Sequence, residues 1–111
     1  FMFCKKLKTL DLSSFNTSKV ENMGFMFAFC ENLETIKIST FDTSKVLSMS
    51  YAFSYCDSLS FIDVSSFNTS LVTDLSFMFY NSKSLTSLDL SSFDTKNISF
   101  IVLGSISLFF A

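Results

Sequence analysis

The sequence predicts an α/β repeat solenoid, and three observations predict it. The stretch LKTLDLSSFNT at residues 7–17 returns at residues 33–43, 59–69 and 85–95, each time 26 residues later and without an insertion. Self-similarity at a fixed period marks architectures in which each unit buries its apolar face only against its neighbours. Within the unit the apolar spacing changes from a strand-like alternation to a helix-like step of three or four. At 111 residues the chain is just over four units long, which suits a stack of coils better than one core. The expected organisation is one solenoid over residues 1–111, with a partial unit at 1–6, units at 7–32, 33–58 and 59–84, and a degenerate last unit at 85–111.

The first half of the unit carries apolar residues at Leu7, Leu10, Leu12 and Phe15. The later copies keep them as Leu33, Ile36, Ile38 and Phe41, as Leu59, Ile62, Val64 and Phe67, and as Leu85, Leu88, Leu90 and Phe93. Leu-x-x-Leu-x-Leu is the leucine-rich-repeat signature, whose second part is a short strand. Each unit should therefore add one strand to a parallel ladder on the concave side, about 4.8 Å from the next. Residues between the buried ones then point outward and form the candidate binding face. They are Thr9, Asp11 and Ser13, with Thr35, Lys37 and Ser39, Phe61, Asp63 and Ser65, and Ser87, Asp89 and Ser91 stacked beside them. Asp11, Lys37 and Asp63 alternate in sign and should attract, whereas Asp63 and Asp89 should repel. Phe61 is the one large aromatic among them, and an aromatic flanked by Lys37 and Asp63 is the expected contact hot spot.

SSFNTS at residues 13–18 leaves the strand through short polar side chains that favour turns and caps. Asn16, Asp42, Asn68 and Asp94 make one column there. Amide and acid alternate in it, which suits local backbone hydrogen bonding better than a cation site. From residue 20 to 30, Val20, Met23, Phe27 and Cys30 share one face of a helix, followed by Val46, Met49, Phe53 and Cys56, then Val72, Leu75 and Phe79 with Ser82 replacing the cysteine. Short helices on the convex side are expected, with irregular or 3₁₀ coil as the alternative, because these residues are mediocre helix formers. A regular helix would turn Phe25, Tyr51 and Phe77, and Phe29 and Tyr55, away from the core as an exposed patch. A bent coil would tuck most of them in, and that is the reading adopted.

Composition narrows the function. Hydrophobic residues are 49% and charged residues 16% of the chain, sixteen residues being Phe. A net charge of −2 with eight basic residues, all lysine and unclustered, offers a phosphate backbone nothing to hold, so nucleic acid is not an expected partner. There is no His, Trp or Pro, and Gly24 and Gly104 are the only glycines. Phosphate-cradling loops, His-based acid–base chemistry and metal sites therefore lack material. No catalytic residue, cofactor or metal is expected, and the chain should not be an enzyme.

Cys4, Cys30 and Cys56 occupy equivalent positions. An odd count at this spacing fits neither a metal set nor a disulfide framework, so they are expected to be small buried core residues. The acceptor patterns at Asn16, Asn68 and Asn97 are treated as incidental, two of them arising from the repeat itself. Residues 98–111, ISFIVLGSISLFFA, carry no charge and fall short of the roughly 20 residues a bilayer span takes. They read first as a degenerate coil, next as the start of a membrane segment, and last as sequence foreign to the repeat. Phe1 is in register with Phe27, Phe53 and Phe79, so the chain opens in mid-unit. It is expected to be a piece of a longer array, with any membrane anchor outside it and with self-association through uncapped ends.

The unit L-x-x-L-D-L-S-S-F-D-T-S-K-V-x-x-M-x-x-M-F-x-x-C resembles the 26-residue repeat of BspA-like leucine-rich-repeat surface proteins, a class also found in mycoplasma surface lipoproteins. The likeness runs from Phe1 to about Ile101, with LTSLDLSSFDT at residues 85–95 fitting throughout. Departures are Lys37 for the usual Asp, Ala52 for Met and Ser82 for Cys. The resemblance implies export, a cell-surface or extracellular location, and adhesion or protein binding to a host or neighbouring cell. It carries no catalytic residues. A structural spacer that holds another domain away from the membrane is the alternative.

Overall fold

Strand geometry is reached only in runs of three residues. The computed structural model describes residues 1–98 and 107–109. It contains β1 (Thr9–Asp11), β2 (Thr35–Lys37), β3 (Ser87–Asp89) and β4 (Ser107–Phe109). β1 pairs with β2 in parallel, Thr9 opposite Thr35, Leu10 opposite Ile36 and Asp11 opposite Lys37. That is the 26-residue register. β3 pairs instead with β4, Leu88 opposite Leu108. Residues 61–63 form no strand, so the ladder expected along all units lapses in the third. The lapse coincides with Phe61, a ring standing where the other units carry Thr9, Thr35 and Ser87.

The expected convex helices are absent among the described residues. Residues 23–30 form successive turns in which backbone N–H groups alternate their partners. Met23, Phe25, Phe27 and Phe29 donate to Ser48, Ser50, Ala52 and Ser54 of the next unit at 2.9 Å. Between them, Met26, Ala28 and Cys30 donate three residues back, to Met23, Phe25 and Phe27. The second unit repeats the scheme from Met49 to Tyr55. A helix would need each of those donors for its own carbonyls. The alternation forces a left-handed backbone at Phe25, Phe29, Tyr51, Tyr55 and Phe77, with φ between 55° and 63°. Such φ values are costly for aromatic residues, and the bonds between units and the ring stacks described next offset the cost.

Three rows of rings run across the units. Phe1, Phe27, Phe53 and Phe79 stack at 5.6, 5.2 and 5.6 Å between centroids, and the last three are fully buried. Phe25, Tyr51 and Phe77 form a second row at 4.7 and 5.1 Å. Phe3, Phe29 and Tyr55 form a third at 4.7 and 4.5 Å. In the second row Phe25 is 42% exposed, while Tyr51 and Phe77 are half-buried, as are Phe29 and Tyr55 in the third. The bent coil thus tucks in most of the aromatic column.

A hydroxyl bracket joins the units at the turn. Thr43 Oγ1 donates to the carbonyl of Asn68 at 3.0 Å and accepts from the N–H of the same residue at 2.8 Å. Thr17 does this with Asp42, and Thr69 with Asp94. All three threonines are buried. The apolar residues of the strand signature pack inside with the Phe27 row and the Met23, Met49 and Leu75 column as one core.

The predicted α/β leucine-rich-repeat solenoid is therefore corrected. The chain is a small globule, mostly irregular coil, with four three-residue strands in two separate parallel pairs and no helix among the described residues. Its extents are 35 × 31 × 20 Å and its radius of gyration is 12.7 Å, against about 13 Å expected for a compact domain of this length. Three-residue strands supply too few ladder bonds to set the architecture, and the connections between units run through coil instead.

Candidate binding face

All twelve residues of the candidate face are exposed: Thr9, Asp11, Ser13, Thr35, Lys37, Ser39, Phe61, Asp63, Ser65, Ser87, Asp89 and Ser91. Their neighbours in sequence, Leu12, Ile38, Ile62, Val64, Leu88 and Leu90, are buried. Alternation thus puts the two sets on opposite sides even in the third unit, where no strand forms.

Each aspartate of the face is fixed by the serine two residues on. Asp63 Oδ1 accepts from the Ser65 N–H at 2.9 Å and from its hydroxyl at 2.6 Å. Asp11 is held in the same way by Ser13, and Asp89 accepts from the Ser91 N–H at 2.9 Å. The serine hydroxyl first, and its N–H next, hold the Asp11, Asp63 and Asp89 carboxyls below the usual carboxylate range. These groups stay ionised well into acid. The Asn16, Asp42, Asn68 and Asp94 column makes the same bonds to Ser18, Ser44, Ser70 and the Lys96 N–H, which is the turn role expected of it.

The face divides in two. In the first part Lys37 Nζ lies 4.0 Å from Asp11 Oδ2, an exposed pair of small energetic weight. In the second part residues 61–65, 87–89, 91 and 92 line a depression of about 640 Å³. Phe61 stands at its rim, 73% exposed and the most exposed large hydrophobic residue described. Ile62, Val64 and Leu88 reach into its floor. Six of the twelve candidate residues are brought together here, namely Phe61, Asp63, Ser65, Ser87, Asp89 and Ser91. Lys37 is not among them.

The cysteines sit inside. Cys30 Sγ donates to the Phe1 carbonyl at 3.0 Å and Cys56 Sγ to the Phe27 carbonyl at 3.1 Å, while Ser82 Oγ donates to the Phe53 carbonyl at 2.6 Å. Thiol and hydroxyl do one job, capping a carbonyl 29 residues earlier. All three cysteines are free, Cys30 and Cys56 buried and Cys4 half-buried. Burial pushes the Cys56 thiol up to about 12, with Cys30 adding to it, and raises Cys30 as well. Neither is a nucleophile at neutral pH.

The family described as Mycoplasma protein of unknown function, DUF285, matches residues 1–102. The chain belongs to that family. No curated protein and no solved structure matches it. The family match takes in the whole candidate face and ends inside the uncharged segment. That segment, with its three readings and the acceptor pattern closing at Ser99, lies outside the described residues, apart from Ile98 and β4.

Sequence reasoning missed two parts of this surface. One is the depression, which lies where the ladder lapses at the third unit and has no motif. The other is the bracket of Thr17, Thr43 and Thr69, for which a signal existed. Phe and Thr of F-x-T both repeat unchanged in all four copies while the residue between them alternates between Asn and Asp, so Thr is the invariant polar side chain of the turn.

Proposed function

We propose that this DUF285 member is a non-enzymatic protein-binding module displayed at the cell surface, which uses the exposed face around Phe61 for adhesion to a host or neighbouring cell. The observation that carries the proposal is the depression of about 640 Å³ with an apolar floor and a 73% exposed aromatic ring at its rim. A large ring held out in solvent over apolar floor residues is what a binding hot spot requires before a partner covers it. The resemblance to BspA-like surface proteins supports the location and the adhesive role.

Beads coated with the protein, or with the Phe61→Ala variant, are scored for attachment to host-cell monolayers. Phe61→Ala removes the anchor and should cut attachment about tenfold, one hot-spot loss. Equal attachment would reject the face. The spacer reading, favoured by ten of the twelve outward residues being Ser, Thr or an Asp engaged with a neighbouring Ser or Lys, predicts that equality.

A further inference from the structure

We infer that the depression beside Phe61 receives a lysine- or arginine-bearing extended peptide, so that the partner of the face is a basic protein segment. The inference rests on the face being a binding surface and specifies what it binds. Asp63 and Asp89 flank the depression, and each commits only Oδ1 to its serine turn. Among the described residues, the second oxygen of each has neither a hydrogen bond nor an ion pair. All eight lysines lie within the described residues, and the ion pairs formed there are Lys5 with Glu31 and Lys37 with Asp11. Asp11 thus has its cation within the chain, while Asp63 and Asp89 face each other's charge without one.

The chemistry of the occupant follows from what the depression offers. Two uncompensated carboxylates repel an anionic ligand. A bare divalent cation finds one free oxygen on each aspartate, far from the six to eight oxygens that Ca²⁺ takes. An ammonium or guanidinium group needs only such single acceptors. Its methylene stem can lie along Leu88 and the Phe61 ring, which adds apolar cover and a cation–π contact. The exposed residues recur every second position along both sides, so an extended chain presents its side chains at the same period, about 6.8 Å.

Fluorescence anisotropy with a labelled peptide of alternating lysine and threonine, against its glutamate–threonine counterpart, tests the inference. Asp63→Asn/Asp89→Asn removes both charges and keeps both turns, because Asn16 and Asn68 already hold Ser18 and Ser70 through the same oxygen. The control, Asp42→Asn/Asp94→Asn, changes the net charge equally at turn positions off the face. The lysine peptide should bind and the glutamate peptide should not. The face variant should weaken binding about tenfold and the control less than about twofold. Absence of lysine-peptide binding, or equal weakening by both variants, overturns the inference. If Phe61→Ala still lowers cell attachment in that case, the binding face stands and only its basic partner falls.

Discussion

Cys56 shows how the interior of this chain trades one donor for another. Its thiol and the Ser82 hydroxyl cap equivalent carbonyls of Phe27 and Phe53, so the position requires a small donor and no sulfur chemistry. The thiol titrates at about 12 because it is buried. In the unfolded chain the same thiol loses its proton near its ordinary value, about 8.5. Between these two values the folded state holds a proton that the unfolded state has released, so stability falls as pH rises through that window. Iodoacetamide at pH 8 should label Cys4 and leave Cys30 and Cys56 unmodified until denaturant is added, as peptide mass mapping will show. Labelling of Cys56 in the folded protein would remove the account of its burial. The face aspartates carry the opposite linkage: their lowered values give stability that is present above the ordinary carboxylate value and lost as pH falls through the folded one.

At the scale of the element, the turn bracket and the alternating coil do the work expected of strands and helices. Thr43 satisfies a carbonyl and an N–H of Asn68 with one hydroxyl. Thr43→Val keeps the shape and leaves both backbone groups without that partner, for a cost of about 2 kcal/mol, whereas Thr43→Ser should recover most of it. Urea denaturation of the two variants measures the difference. Equal stability of Thr43→Val and the parent would show that the bracket contributes nothing.

The strand signature was legible because Leu10, Leu12 and their copies alternate with exposed residues, and that alternation survives in the structure. The coil was not legible as coil. Met23, Phe27 and Cys30 sit at helical spacing, yet they reach the core from turns that repeat every two residues, with Phe25 and Phe29 in the left-handed region between them. Apolar periodicity records which residues are buried, and a helix and this ladder of turns bury the same ones. What separates them is the destination of each N–H, which no local pattern encodes.

For the whole molecule, the 26-residue period was read as a solenoid and the structure is a compact globule with a radius of gyration of 12.7 Å. The period persists in the bracket, the ring rows and the backbone bonds between units, while the strand ladder that would have made a regular curved sheet lapses at Phe61. The depression lies where the ladder lapses, and Phe61, the most exposed large hydrophobic among the described residues, lines it. The binding proposal depends on this arrangement, and the arrangement depends on coil joined unit to unit. Backbone NMR tests that directly. Residues 23–30 and 49–56 should show left-handed φ at Phe25, Phe29, Tyr51 and Tyr55 in their three-bond H–N–Cα–H couplings and Cα shifts, with cross-unit contacts from the Phe27 amide to Ala52. Uniform helical shifts across either segment, with no contact between Phe27 and Ala52, would contradict the account.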